Sequence, residues 1–403
     1  MKSKLQAQTK EEYKETELGL LPKYWDVQVF TKCIEKVEAP KKIKFYQPEY
    51  LEYGRYAIVH QGQELIAGYH NDEKRLYAGD LPIIIFGDVS RIFKFIDFPF
   101  SLGADGSKII IPKRNLLDTK YFFFYLKTLD IPSRGYNRHY KDLKEKKIVI
   151  PPLPEQQKIA YVLSTVQLAK EKTDGLIKSL KELKKAMIKH LFTYSAVSFE
   201  DEDKVELKDT EIGKMPKNWE VVKLGDVCSY KTGKLNSEAG KKLGAYPFFT
   251  CSQETFKIDT YSFDQEALLL AGNNAQGKYS IKHYKGKFDV YQRTYVLTIK
   301  DTKKADYTYL LYEIQRKLET LRNQSLGSTT KYLTAGIITS LNLVLPKISE
   351  QQQIALILSS IDTKIEAEEQ SKEAIEQLFK SLLHNLMSAK IRVTDLKIEG
   401  TNG

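Results

Sequence analysis

No stretch of this chain is long and apolar enough to cross a bilayer. Its longest aromatic and aliphatic run, YFFFYL from Tyr121 to Leu126, is short, and its start, MKSKLQAQTKEEYKE, is polar throughout. With neither a span nor a signal peptide to read, a cytosolic protein is expected. Cysteine is scarce: Cys33, Cys228 and Cys251 form no CxxC, and the six histidines stand apart from them and from one another. That excludes a disulfide framework and a spelled-out zinc site, and leaves three reduced thiols with no metal expected. A nucleotide site is also short of a part. GNNAQGKY, residues 272–279, imitates a phosphate-cradling G-x-x-x-x-G-K loop, yet Tyr279 stands where Ser or Thr would ligate magnesium. No cofactor is expected.

What the chain does have is size, charge and repetition. With 403 residues, 42% hydrophobic and 11% aromatic, it can bury more than one core. Its net charge of +11 has the sign that favours phosphate polyanions. PEQQKIAYVLSTV begins at Pro154, and SEQQQIALILSSI begins at Ser349, 195 residues further along. A period that long points to a duplicated half, because solenoid repeats run to about 20–50 residues. YKETELGLLPKYWDV, from Tyr13 to Val27, answers LKDTEIGKMPKNWEV, from Leu207 to Val221, and the only two tryptophans, Trp25 and Trp219, fall at matching places.

Between these markers each half reads as a mixed α/β unit. LPIIIFG (81–87), SKIIIP (107–112) and KKIVIP (146–151) are short apolar runs bounded by Gly, Pro or charge, as buried strands are. EALLLAG (266–272), TYVLTI (294–299) and SLNLVLP (340–346) take the same places in the second half. A helical pattern follows the middle strand in each, from Asp118 and from Ala305. A Gly-containing loop comes next, GYNRHY (135–140) against GSTTKY (327–332), before the last strand. The expected division is a recognition-type domain over 1–153, a helix over 154–194, a linker and second domain over 195–348, and a second helix with a tail over 349–403.

Both 38-residue segments, 155–192 and 350–387, are nearly free of Gly and Pro and carry apolar residues in steps of three and four. In the first these are Ile159, Leu163, Val166, Ile177, Leu180, Leu183, Met187 and Leu191; in the second, Ile354, Leu358, Ile361, Ile365, Ile375, Leu378, Leu382 and Leu386. Such seams pair helices, and each helix would be about 57 Å long. The first carries eight lysines and four acids, the second three lysines and seven acids, so their charges are +4 and −4. Opposite signs favour pairing within one chain. If the halves are related by a two-fold-like turn, the helices run antiparallel.

A globular half opening with LPKYWDV or MPKNWEVVKLGDV, closing with PPLPEQQKIAYVLS or LPKISEQQQIALILSSID, and followed by a long helix resembles the specificity subunit of type I restriction-modification systems. The resemblance covers nearly the whole chain, and its signal of proline followed shortly by Glu-Gln-Gln at a helix start occurs twice, each time about 130 residues after a Pro-Lys-x-Trp marker. One departure is Val29-Phe30-Thr31-Lys32 in the first half, where the second has Leu-Gly-Asp-Val after Trp219. The resemblance implies a non-catalytic subunit with two target-recognition domains, each reading half of a split, asymmetric sequence on double-stranded DNA. The two antiparallel helices, paired as a coiled coil with internal pseudo-two-fold symmetry, would set the spacer and dock two methyltransferase subunits, which endonuclease subunits can join. Physically, two divergent copies of one domain on paired helices can read two half-sites at a fixed separation. A coiled-coil scaffold that binds proteins through its globular halves is the rival reading. A methyltransferase of its own is not spelled out, since the only Pro-Pro, Pro151-Pro152, is followed by Leu153 rather than an aromatic residue. The Glu-x-Lys triplets at Glu145–Lys147 and Glu182–Lys184 are what a chain rich in both residues yields by chance.

Candidate DNA contacts lie in three loops. RGYNRHY supplies Arg134, Tyr136, Asn137, Arg138 and His139, with arginine suited to guanine in the major groove. GNNAQGKY supplies Asn273, Asn274, Gln276, Lys278 and Tyr279, whose amides suit adenine and whose lysine suits phosphate or guanine. GSTTKY supplies Ser328, Thr329, Thr330 and Lys331 for bases or phosphates. Arg91 is a weaker candidate, as are Arg55, Lys74 and Arg75. For each loop a plain connecting role stands beside the DNA-reading one.

Overall fold

A computed structural model describes residues 13–37, 43–46, 49–103 and 106–393; the start of the chain and the tail after Val393 lie outside them. Two compact units emerge, residues 1–174 with 370–403, and residues 175–369. Two long helices, Leu153–Tyr194 and Ile348–Met387, each give part of their length to one unit and the rest to the other. Among the described residues no helix is long and apolar enough to cross a membrane.

The first unit is mixed α/β. Its central strand Ile83–Gly87, buried along its length, lies antiparallel between Ser107–Ile110 and Phe93–Ile96. Phe100–Gly103 lies parallel to both Lys44–Phe45 and Tyr56–Val59, and Gly68–His70 completes that four-stranded sheet. The last strand, Lys147–Ile150, pairs antiparallel with Asp26–Val29 just after Trp25. Helix Thr119–Leu126 starts where Asp118 accepts a hydrogen bond from the Tyr121 N–H, and all but one of its side chains are buried. The second unit repeats this plan with more continuity. Phe263–Ala271 runs between Thr294–Ile299 and Ile281–Val290 in a six-stranded sheet, and Asn342–Leu345 pairs with Glu220–Lys223. Helix Tyr307–Arg316 is capped by Asp306 as its counterpart is by Asp118.

The duplicated sequence markers meet in space. Trp25 Nε1 donates to the Glu155 carboxylate at 3.0 Å, and Trp219 Nε1 to Glu350 at 3.4 Å. Gln156, fully buried, donates to Pro151 O and Leu116 O and accepts from the Asp118 N–H. Gln351 does the same with Pro346 O, Lys304 O and the Asp306 N–H. Glu-Gln at each helix start is therefore a clamp: the carboxylate holds the opening strand through tryptophan, and the amide joins the last strand's exit to the cap of the middle helix. Tyr121 and Tyr309 complete the frame, each donating its hydroxyl to a last-strand carbonyl, Val149 O and Val344 O, at 2.9 Å. A buried polar group left without a partner costs about 1–3 kcal/mol, so the frame tolerates little change.

In each unit the two long helices pair antiparallel, the partner's number falling as the first rises. Lys170 meets Glu376 and Asp174 meets Lys372 in the first unit. Lys181 meets Glu369 and Lys184 meets Asp362 in the second. These exposed ion pairs are individually weak; the apolar seam carries more. Ile159, Leu163 and Leu386 are buried in the first unit, as are Ile177, Leu180, Leu191, Ile354, Leu358 and Ile365 in the second. Val166, Met187, Ile361, Ile375 and Leu382 are half-buried. Two expected seam residues stand outside it, Leu183 at 45% and Leu378 at 49% exposure. The step there is four rather than three. Lys184 takes the inward place, bonded to Asp362 with its ammonium over the Tyr312 ring, and Phe379 packs on Phe124.

Candidate nucleic-acid interface

The loop after the central strand is fastened to the loop before the last strand in both units, by different chemistry. In the first unit Asp88 follows the strand end at Gly87. Its carbonyl accepts from the His139 N–H (2.8 Å) and from His139 Nδ1–H (3.0 Å), and its carboxylate from the Tyr140 N–H (2.7 Å). His139 Nε2 in turn accepts from the Arg134 N–H at 3.1 Å. Arg91, at φ 64°, donates its guanidinium to Ile131 O at 2.7 Å, tying down the start of the same loop. In the second unit a two-stranded ladder does this work. Asn273 pairs with Tyr332 and Asn274 with Lys331, while the Leu333 N–H donates to Gly272 O at 2.8 Å.

This geometry sorts the candidates. His139 is completely buried with both ring nitrogens engaged, so it shapes the loop and has no atom left for a base. Arg91, half-buried, gives one guanidinium nitrogen to Ile131 O, and Tyr279, 5% exposed, belongs to the second unit's core. His139 and Tyr279 depart from the expected role because burial makes each an anchor of its loop instead of its tip. Tyr136, 89% exposed, and Asn137 and Arg138 stand at the open tip around Gly135, which takes φ 71°. Arg134 is also open, leaning on Asp142 at 3.0 Å. Asn137 gives its amide N–H to Arg134 O and keeps its oxygen as an acceptor. In the second unit Ser328, Thr329 and Thr330 form an exposed tip, with Lys331 half-buried behind it. Asn274 turns its oxygen inward to the Gln276 and Lys278 N–H groups, which leaves Gln276 and Lys278 exposed on the turn and Asn273 half-buried in the ladder.

Gly277, at φ 67°, lets the Arg322 and Lys331 stems pack close: a Cβ there would come within 3.1 Å of Arg322 Cγ and 3.4 Å of Lys331 Cγ. Arg322, at the end of helix Leu318–Gln324, thus joins the cluster. Sequence reasoning missed it, since an arginine in a helical pattern reads as ordinary surface. Of the weaker candidates, Arg75 is committed elsewhere, lying 3.4 Å over the Phe45 ring and paired with Glu49. Burial pushes the thiols of Cys33 and Cys228 up to about 11 and about 12, so both are inert core residues.

Two units with one frame and unlike exposed tips are the arrangement that a comparison with known proteins can test. A family model described as the type I restriction modification DNA specificity domain matches residues 28–182 and again 216–377. The chain belongs to this family. The duplication seen in the sequence is the family's domain taken twice, each match falling largely in one unit and ending in the long helix. The scaffold reading is set aside on that ground. The type I restriction enzyme EcoDI specificity subunit of Escherichia coli is 39% identical over 168 residues, which is 42% of this chain and 36% of that relative's length. The putative type I restriction enzyme MjaX specificity subunit of Methanocaldococcus jannaschii is 28% identical across 96% of this chain and 99% of its own. The crystal structure of the type I restriction-modification S subunit from M. genitalium has the same fold, with a TM-score of 0.67 at 16% identity over 90% of this chain and 96% of that one.

Proposed function

We propose that this chain is the recognition component of a type I restriction-modification assembly in the cytoplasm, each unit reading one part of a split, asymmetric site on double-stranded DNA. The paired helices set the spacer, two methyltransferase subunits dock on the chain, and endonuclease subunits join them. In this reading the chain contributes recognition alone, and methylation belongs to the partner. The observation that supports it most is the fastening of two loops at one edge of each unit, with different donors at each tip. Arg134 and Arg138, with Tyr136 and Asn137, suit guanine and its neighbours in one half-site; Gln276 and Asn273 suit adenine in the other. Lys278, Lys331, Ser328, Thr329 and Thr330 supply phosphate and base contacts there.

Methylation sequencing of a host carrying this chain and its methyltransferase tests the reading directly. A bipartite motif with a fixed gap is expected, and a continuous motif, or none, would end the proposal. Affinity for duplex DNA should also fall by about 10³-fold or more between about 50 and 200 mM salt if roughly six phosphates are neutralised. Exchanging residues 134–138 should change one half of the motif only. Inserting about four residues after Thr173 should lengthen the gap and leave both halves intact.

A further inference from the structure

A second internal match lies inside the units, in a segment that holds only one of the weaker candidates above, Arg55. GRYAIVHQGQE, residues 54–64, and GAYPFFTCSQE, residues 244–254, align without a gap, sharing Gly54 with Gly244, Tyr56 with Tyr246, and Gln63-Glu64 with Gln253-Glu254. Each begins a strand, Tyr56–Val59 or Tyr246–Phe249, and each loop is then stapled by a lysine from the strand beside the unit's central one. Lys94, buried on Phe93–Ile96, donates Nζ to His60 O at 2.7 Å and to Glu64 O. Lys282, on Ile281–Val290, donates Nζ to Glu254 O at 3.1 Å, Thr255 Oγ1 at 3.2 Å and Ser252 O at 3.3 Å.

Both stapled loops abut the candidate interface of their own unit. The Gln61 amide oxygen accepts from the Val89 N–H at 3.1 Å and Gln61 O from the Ser90 hydroxyl, inside the turn that also holds His139. In the second unit Cys251 Sγ and the Gly272 N–H converge on Arg293 O, at 3.5 and 2.8 Å, where the 272–279 loop begins. The staples use only main-chain carbonyls of the Gln-Glu pair, so they do not explain why the side chains are the same. Gln63, Glu64, Gln253 and Glu254 are all exposed, and among the described residues neither glutamine amide has a hydrogen-bond partner. Two units whose other tips differ thus present the same free amide, each on a loop held by a lysine, beside their recognition loops.

We propose that Gln63 and Gln253 are a matched pair of base-reading side chains, each bonding bidentately to an adenine at the corresponding position of its half-site, with Lys94 and Lys282 as positioning residues. This rests on the DNA-reading function above. A glutamine amide offers one donor and one acceptor, the pattern that adenine N7 and N6 complement in the major groove.

The test selects sites from a randomised duplex library with the full chain and its methyltransferase partner. Gln63→Ala should relax one adenine position in one half-site by about 5- to 150-fold in discrimination, and Gln253→Ala the corresponding position in the other half. Lys282→Met should relax the same position as Gln253→Ala, and Lys282→Arg should restore it. If the unaltered protein selects a bipartite motif and both glutamine variants select that motif unchanged, this proposal fails while the DNA-reading function stands. A uniform loss of affinity with unaltered preference would also overturn it. If the unaltered protein selects no motif, the DNA-reading function itself fails.

Discussion

Removing one cation from the first unit should cost it more stability than any single surface contact can explain. Arg392 lies beyond the second long helix and donates Nε and a terminal nitrogen to Glu155, at 2.8 and 3.0 Å. The same carboxylate holds Trp25 and is almost wholly buried. Arg392→Ala would leave a buried charge with only the indole N–H, and breaking such a pair from one side costs about 3–5 kcal/mol. The guanidinium also lies over the Tyr24 and Trp25 rings, at 5.3 and 5.4 Å, which adds about 0.5–1 kcal/mol. Because Arg392 itself keeps some contact with water, the lower ends apply, a loss of about 3.5 kcal/mol in all. Trp25 reports its own unit if Trp219 is replaced by Phe, so urea unfolding followed by tryptophan fluorescence in that background reads the first unit alone. The double variant Glu155→Gln/Arg392→Met, which removes both charges, should be closer to the parent than Arg392→Ala. A single-variant loss under about 0.5 kcal/mol, or a double variant worse than the single, would show that the buried carboxylate does not depend on Arg392.

Other expectations follow from the same structure. Gln156→Leu and Gln351→Leu each strand three main-chain groups, one in a buried bond and two in part-buried ones, so each should cost its own unit about 1–3 kcal/mol in denaturant unfolding; tolerance of either would show that the clamp does not hold the frame. Burial lowers Lys94 to about 8 in the folded protein, against about 10.4 in an unfolded chain. Between those values the unfolded chain binds the extra proton, so the stability of the parent relative to Lys94→Met should rise with pH by at most about 3 kcal/mol. The carbonyls that accept from its ammonium oppose the shift, and a flat difference from pH 8 to 10.5 would mean that Lys94 stays charged. Gly272→Ala would bring Cβ within 2.3 Å of Arg293 O, a main-chain atom that cannot swing away. It should therefore displace the 272–279 loop and weaken recognition of one half-site while the other persists, as site selection would reveal.

The frame was legible in the sequence because it is built from residues whose job is the same in both halves. Trp25 and Trp219, Glu155 and Glu350, Gln156 and Gln351, Asp118 and Asp306 each make the same hydrogen bond twice. A side chain that must satisfy a buried main-chain group has few substitutes, so the repeat survives there. The long helices were readable for a similar reason, their apolar steps surviving along both segments, and Leu183 and Leu378 misled only where a lysine stem or an aromatic ring takes the inward place. Strands Phe93–Ile96 and Ile281–Val290 were not foreseen. The first turns an inward position over to Lys94, and the second carries lysines and Gly286 through its middle, which breaks the apolar signature a strand is read from.

The candidate contacts were only half legible, and the reason is physical. Loop composition marks a residue as polar but not which way it points. His139 and Arg138 are neighbours in sequence, yet one is sealed beneath Asp88 and the other is open to solvent. What decides is the partner across the fold, Asp88 for His139 and Ile131 O for Arg91, and no local pattern encodes that pairing. The fastening itself differs between units, a buried histidine in one and a two-residue ladder in the other, so even the duplication gives no warning. An interface that must distinguish two half-sites is free to diverge in its anchors as well as its tips, provided the loop leaving the central strand stays fastened to the loop before the last strand. Divergence on an unchanging frame is therefore what two-part recognition requires, and the exposed glutamines that did not diverge are informative for that reason.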